Sequence, residues 1–372
     1  MRKQIKILYF IQLPPPVHGV STINDFVYNN ALINENIDKH LVEIKFSNEL
    51  TELRKTTFRK LIHFFRILRQ LKHAIKQTGP DYVYFSIMPV GKGFWRDLGF
   101  VRQIRKQGVK IIYHLHNRGI EKHAGNLIFR KLYQYIYQDS IIIHLSESLM
   151  QKEIGVLNLK NSLTKVIPNG VPIVDLAQRG KDESITRILF LSNLFPDKGM
   201  FDLLQIMKIL QDKGTDAQLH IVGEFMRNGY RMRFIKMIDR YGLNESVYLK
   251  GPKFGDAKWQ VYQDSDIFLF PTRFKQESLP LVVLEAMQFG LPVIASRIGA
   301  IPEIINHGKN GFTFDPSDHE GFAGVIRELI DQKEILRRVG MAARQKFLEN
   351  YTTVHLEQNF RDLYENCITD IR

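Results

Sequence analysis

The chain has 372 residues, of which 44% are hydrophobic and 24% charged, ordinary values for a globular protein of about two domains. A single cysteine, Cys367, excludes an intramolecular disulfide framework and a cysteine-based zinc site, and fits a reducing compartment. The net charge of +13 draws the protein toward acidic partners: nucleic acid, anionic lipid or phosphorylated metabolites.

The chain opens MRKQIKILYFIQLPPP, a basic start before an apolar run, as in a signal peptide. The run is short, Gln12 interrupts it and no small-residue cleavage site follows, so Lys6–Leu13 reads as the first strand. No run of about 18 apolar residues exists, so no transmembrane helix is expected. A helix is predicted near Ser21–Leu32 and a strand over Leu41–Phe46. Residues 52–76 carry eight Lys or Arg and one acid, Glu52, with Leu61, Phe64, Phe65, Leu68, Leu71 and Ile75 at helical spacing. Such a helix either lies on a membrane surface or packs its apolar stripe on its own domain. Strands follow at Tyr82–Ile87, Val109–Leu115, Ser140–Leu145 and Lys165–Pro168, with helices at Phe94–Lys106 and Gly125–Gln138. This is the rhythm of a parallel sheet covered by helices.

A charged, weakly patterned stretch, Asp175–Thr186, reads as a linker, after which the rhythm restarts. Strands are predicted at Arg187–Leu191, Gln218–Val222, Val247–Leu249, Ile267–Phe270, Val293–Ala295 and Gly311–Phe314. Helices are predicted at Met200–Lys213, Met226–Tyr241, Lys258–Ser265, Leu281–Phe289, Glu320–Asp331 and Glu334–Asn350. The fold class is therefore α/β, two Rossmann-like domains, with ligands expected beyond the carboxyl ends of the strands, in a cleft between the domains.

Four stretches at such strand ends carry candidate chemistry. In QLPPPVHGV, a loop that precedes the helix near Ser21, Gly19 lets backbone approach a phosphate; a plain β–α connection is the alternative. No G-x-G-x-x-G is present, which argues against a nicotinamide or flavin enzyme. In HLHNRG, His114 and His116 share a strand face as a metal pair would, yet no third ligand cluster accompanies them. His116 stands at the strand end, as a site residue or as a satisfied structural histidine. In LSNLFPDKG, Lys198 beside a helix start is a phosphate clamp. In ESLPLVVLE, Ser278 is the expected N-cap of a helix beginning at Leu281. Its amides can hold phosphate, while Glu285 either reaches a ribose or is a buried structural carboxylate. Asp264-Ser-Asp266 imitates a metal-binding pair but sits at the entry end of a strand, where turn chemistry is the better reading.

The PPPVHG loop, LSNLFPDKG, VIPNGV, DIFLFPT and above all ESLPLVVLE resemble the retaining glycosyltransferases of family 4, of the group 1 glycosyl transferases, which have the GT-B fold of two facing Rossmann-like domains. The resemblance covers nearly the whole chain. It implies an acceptor-binding domain over 1–178, a nucleotide-sugar domain over 179–354, and a terminal helix within 355–372 packing back on the first. It implies that Glu285 contacts the nucleotide ribose, that Glu277 and His116 lie near the donor sugar, and that Lys198 holds the diphosphate. Amides of Ser278, Leu279 and on to Val282 would bind sugar and diphosphate, Gly19 would approach the donor phosphate, and Gly223 with Glu224 would border the base. Asn193 stands where the family usually has an arginine, so the clamp depends more on Lys198 and helix dipoles. Catalysis is thus assigned to His116, Glu277 and Lys198.

The resemblance implies a hexosyltransferase-type enzyme that moves a sugar from a nucleoside-diphosphate donor to a polysaccharide or lipid-linked glycan of a bacterial surface polymer, lipopolysaccharide or capsule. It implies no metal and no cofactor, and no nucleic-acid partner. The expected location is the cytoplasm or the inner face of the cytoplasmic membrane, reached through residues 52–76. The alternatives are a nucleotide-sugar epimerase of the same fold and a non-catalytic protein binding an acidic polymer.

Overall fold

The computed structural model describes residues 4–45, 58–175 and 185–367. The chain divides into two compact units, Met1–Asn169 with Val354–Arg372, and Gly170–Thr353. The expected boundary at 178/179 lies outside the described residues, as does most of the expected linker.

The first unit holds a six-stranded parallel sheet: β1 (Ile5–Ile11), β2 (Ile37–Glu43), β3 (Tyr82–Phe85), β4 (Lys110–His114), β5 (Ile141–His144) and β6 (Leu163–Val166), in the order β2-β1-β3-β4-β5-β6. The central strands are buried on both faces, as strands covered by helices must be. β2 begins earlier than its apolar density predicts. Its register against β1, Ile5 beside Ile37 and Ile11 beside Glu43, recruits the polar stretch Asp38–His40 on a half-exposed edge. The first helix likewise starts before Ser21, at Gly19, because His18 caps it: Ser21 N donates to His18 Nδ1 at 3.2 Å and His18 N to the Ser21 hydroxyl at 3.0 Å.

The basic helix runs Phe58–Thr78, and the expected residues 52–57 lie outside the described ones. It buries Ile67, Leu71 and Ile75 on one sheet face and presses Phe64 on Phe100 at 5.0 Å, while Leu61, Ile62 and Phe65 remain exposed. The opposite sheet face is covered partly by the chain's last helix, Thr353–Asp362, and the turn Leu363–Cys367 that follows. There Tyr364 meets the Tyr9 hydroxyl at 3.1 Å, Phe360 packs on Tyr84, and Asn30 donates to Glu357 at 2.9 Å.

The second unit repeats the plan with β7 (Arg187–Leu191), β8 (Gln218–Val222), β9 (Val247–Gly251), β10 (Ile267–Phe270), β11 (Val293–Ser296) and β12 (Gly311–Phe314), ordered β12-β11-β10-β7-β8-β9 and all parallel. From β7 the chain winds toward β9, and from β10 toward β12. The winding direction therefore reverses between β7 and β10, the switch point where an open α/β sheet parts its loops and admits a ligand. Asp264 and Asp266 lie at the other end of β10. Asp266 accepts the Arg187 amide at 2.8 Å and Asp264 accepts from Gln260 at 2.7 Å, so both perform local turn chemistry.

The loops beyond β7 and β10 approach so closely that a side chain at Gly199, whose φ is +81°, would place its Cβ 2.0 Å from the Pro271 carbonyl oxygen. Gly199→Ala is expected to cost the second unit at least about 2 kcal/mol, from overpacking and left-handed backbone strain combined. A urea-unfolding midpoint equal to the parent's would show that this approach is not required.

Candidate functional site

Lys198 and Glu277 are 79 residues apart in sequence and meet at the switch point. Lys198 ends a short turn, Pro196–Lys198, that leads into the helix Met200–Asp212. Its Nζ donates to Glu277 Oε2 at 2.5 Å and stands over the Phe274 ring at 4.9 Å. The Arg273 amide donates to the Asp197 carbonyl at 2.7 Å and the Arg273 side chain grips Asp202, lacing the two loops together. His319 Nε2 joins Asp202 from a third element at 2.7 Å. Glu277 is only 8% exposed, so its carboxylate depends on that ammonium.

From behind, the chain following β11 fixes the Glu277–Ser278 backbone. Ala300 N donates to the Ser278 carbonyl at 2.7 Å, and a Cβ on Gly299 would lie 2.4 Å from that same oxygen. This use of Ser278 displaces it from its expected role. The N-cap of the helix Leu281–Gln288 is Pro280, whose carbonyl accepts the Val283 amide, and no side chain caps the helix. The first-turn amides of Leu281 and Val282 lie ahead of any intrahelical acceptor, the arrangement that suits an anion. Ser278 and Leu279 are buried and Val282 half-buried.

Glu285 is 6% exposed on the second turn of that helix. The helix Gly255–Gln263 supplies its partners from positions four apart, on one face. Lys258 Nζ donates to Oε1 at 2.7 Å and the Tyr262 hydroxyl to Oε2 at 2.8 Å. Burial and the neighbouring carboxylate push the Tyr262 phenol well above its ordinary range, so it remains a donor. Its ring lies parallel to Phe289 at 5.7 Å, and Lys258 stands over Trp259 at 4.0 Å. Each carboxylate oxygen keeps acceptor capacity for a hydroxyl pair.

Beside the switch point a pocket of about 420 Å³ is bordered by Gly223 and Glu224 beyond β8, Asn228 and Arg231 on the next helix, and Gly251, the last residue of β9, with Pro252. Gly223 has φ +147°, and a Cβ there would meet the Ser192 carbonyl at 1.8 Å. Asn193 stands half-buried at the end of β7.

In the first unit His116 follows β4 and is 8% exposed, its ring centroid 3.9 Å from that of His114. The Tyr84 hydroxyl shares a hydrogen bond of 2.5 Å with His114 Nδ1. The Nε2 atoms of His114, His116 and His144 are buried without a protein partner. Burial, then the nearby His18, hold the His116 imidazolium down to a pKa of about 3, and burial lowers His144 to about 4. His116 is therefore a neutral ring near pH 7. Gly19 is exposed beside His18, whose charge acts on His116. Among the described residues no cluster of three His, Cys, Asp or Glu is placed to hold a metal ion.

The structure thus joins Lys198 to Glu277 and places Glu285, Ser278, Leu279 and Val282 on the same loop and helix, while Gly19 and His116 belong to the other unit. Sequence reasoning missed Lys258 and Tyr262, whose only signal was their spacing of four on one helix. It also missed Glu153, a 1% exposed carboxylate that accepts the amides of Gly119 and Ile120 at 2.9 and 2.6 Å. Glu153 thereby anchors the loop that carries His116.

Residues 174–346 match the family of glycosyl transferases group 1. The chain is 34% identical over 151 residues to sulfoquinovosyl transferase SQD2 of Arabidopsis thaliana, 40% of this chain and 28% of that protein. It is 24% identical over 281 residues to the lipopolysaccharide 1,2-N-acetylglucosaminetransferase of Salmonella typhimurium, 71% of this chain and 70% of that protein. The structure superposes on Anabaena HepE in complex with UDP and glucose with a TM-score of 0.74, at 19% identity, over 97% of this chain and 100% of that one. The likeness shows the fold, GT-B, built of two Rossmann-like units.

Removing the Tyr262 hydroxyl (Tyr262→Phe) leaves one carboxylate oxygen of Glu285 without its donor and is expected to cost about 1–3 kcal/mol. Lys258→Met, which strands the charge itself, should cost more; urea titration of both variants orders them, and a reversed order overturns the assignment. The depressed histidines set the acid response. Below pH 6.5 the unfolded chain binds protons that folded His116 and His144 refuse, so stability falls as pH drops toward 4 and is flat above 7. Melting temperatures between pH 7 and 5 should decline, and less steeply in His144→Gln.

Proposed function

From the match of residues 174–346 to the glycosyl transferases group 1, we propose that the chain moves a sugar, with retention at the anomeric carbon, from a nucleoside diphosphate to a polysaccharide or lipid-linked glycan acceptor. The observation that carries the reading is the Lys198–Glu277 pair at the switch point, with Glu285 held on the adjoining helix. A diphosphate seated against the amides of Leu281 and Val282 competes with Glu277 for Lys198. The carboxylate so released accepts hydroxyls of the donor sugar. Glu285 accepts the ribose hydroxyls, and the base enters the pocket beside Gly223 and Glu224.

The chemistry then needs charge stabilisation more than proton transfer from the protein. As the bond from the anomeric carbon to the phosphate oxygen breaks, negative charge grows on the leaving diphosphate, where Lys198 and the helix amides oppose it. The acceptor hydroxyl attacks on the same face, and its proton passes to the departing phosphate oxygen. His116, neutral at pH 7, hydrogen-bonds a sugar hydroxyl and does not act as general acid. Asn193 adds no charge, so one ammonium and the helix dipole carry the clamp, without a metal. An acceptor for lipopolysaccharide or capsule is supported by the bacterial relatives. The cytoplasmic face of the membrane, met by the basic helix, is where a lipid-linked acceptor would be reached.

Thermal-shift titration with UDP, GDP and ADP tests the donor site. The matching diphosphate at about 100 times its Kd should add about 2.7 kcal/mol. Glu285→Ala should abolish the shift and Lys198→Ala reduce it; variants that respond like the parent overturn the assignment. His116→Ala should lower kcat by about 100-fold with little change in donor affinity. Nucleoside diphosphate released only when an acceptor glycan is added separates transfer from epimerisation.

A further inference from the structure

The net positive charge of this protein is accounted for by one stretch. Residues 58–137 contain sixteen Lys or Arg and three acidic residues, a surplus of 13 that equals the surplus of the entire chain. The rest of the sequence is balanced. These residues build three helices, Phe58–Thr78, Gly91–Arg105 and Leu127–Tyr137, which cover the same face of the first sheet in a single core. Buried Phe94, Phe100, Tyr133 and Leu71 are its inner side.

The outer side is not the purely polar surface expected of a helix layer. Leu127 is 72% exposed, Ile128 69%, Phe65 57%, Trp95 56%, Leu61 52% and Ile62 51%. They form one run across the three helices. Phe65 adjoins Phe64, whose ring packs where a Cβ on Gly99 would lie, 2.9 Å away. Trp95 is one turn before Gly99, and its ring is 6.0 Å from Phe129, next to Ile128. Five of the six fall in the first two turns of their helices and Phe65 in the third. Each of these helices follows a strand of a parallel sheet, so its start lies at the carboxyl edge, the edge that also carries His18 and His116. Exposed basic side chains surround the run, among them Arg66, Arg69, Lys72, Lys122, Arg130 and Lys131.

We propose that this three-helix surface docks on an anionic lipid bilayer, with Trp95, Leu127, Ile128 and Phe65 entering the acyl boundary and the basic ring facing the headgroups. Charge complementarity selects an acidic partner, and the aliphatic tips select a bilayer. Nucleic acid offers nothing for Leu61, Ile62, Leu127 and Ile128 to bury against, whereas an interface between headgroup and hydrocarbon does. No described helix is long and apolar enough to cross a membrane, so the contact lies on one leaflet. The inference extends the membrane part of the proposed function from one helix to three. It places the lipid surface at the sheet edge where the acceptor would be held.

The test is flotation of the full-length protein with vesicles of phosphatidylcholine alone or with about one-third phosphatidylglycerol. Binding is expected only with the anionic vesicles, falling as salt rises. Leu127→Ser with Ile128→Ser lies on exposed positions and should abolish most binding; Arg66→Glu with Arg69→Glu should weaken it by about fivefold or more per charge. The chain has two tryptophans, so Trp259→Phe leaves Trp95 alone, and its emission should shift to the blue and be quenched by brominated lipid. Equal binding to neutral vesicles, a Leu127→Ser/Ile128→Ser protein that floats like the parent, or binding to single-stranded DNA that matches vesicle binding and ignores that variant overturns the proposal. The nucleoside-diphosphate thermal shift, measured on the Leu127→Ser/Ile128→Ser and Arg66→Glu/Arg69→Glu variants, should be unchanged. Its absence in the parent would remove the donor reading while leaving the lipid result to stand by itself.

Discussion

The second unit depends on one close approach, that of the loops following β7 and β10. Two parallel strands that are neighbours in the sheet but diverge in winding bring their carboxyl-end loops side by side. Here the loops pack backbone on side-chain-free backbone, at Gly199 against Pro271. That contact sets Lys198 opposite Glu277 and makes a pair of opposite charges with little solvent around them. An isolated buried charge is prohibitively unfavourable, so the two groups must find each other in the absence of ligand. A ligand bearing its own negative charge can then exchange for Glu277 without leaving the ammonium uncompensated. In the proposed reaction the interaction that holds these two charges together is also the one the substrate would replace.

Glu285 follows the same rule on a helix. Its carboxylate is surrounded by apolar residues of the Leu281–Gln288 helix, and its charge is held by Lys258 and Tyr262 from the neighbouring helix. The two readings the sequence allowed, ribose ligand and structural carboxylate, are therefore compatible. Lys258 and Tyr262 fix the group, and each oxygen keeps a lone pair that can accept a further hydroxyl. His116 shows the opposite strategy. Its ring is kept neutral by burial and then by His18, so it offers a polar group without a charge.

Much of this was legible because parallel sheets write themselves plainly. Runs such as YVYF and IIIH are apolar throughout and bounded by turn residues, and most of the described strands fall where such runs fall. β2 was misplaced since an edge strand needs only one apolar face, and Asp38–His40 carry no apolar signal. The ESLPLVVLE segment announced a helix and two carboxylates, but not what held them. Contacts such as Lys258 to Glu285 and Glu153 to the Gly119 amide join residues 27 and 34 positions apart, and no local pattern encodes them. Ser278 failed as a cap for a related reason. Its position was set by a tertiary bond to Ala300, which local capping preference does not anticipate.

The path of the chain has a consequence for synthesis. The first unit is closed by the chain's last helix, where Tyr364, Phe360 and Glu357 reach Tyr9, Tyr84 and Asn30. A ribosome delivers the strands of that unit first, yet the side chains that seal one face of its sheet arrive after the whole of the second unit. Domains fold as they emerge, so the second unit, continuous over 170–353, has all its parts while the first still shows an uncovered face of Tyr9 and Tyr84. The nascent protein therefore carries an exposed aromatic surface for as long as the second unit takes to be made, until Glu357, Phe360 and Tyr364 follow it and end that exposure.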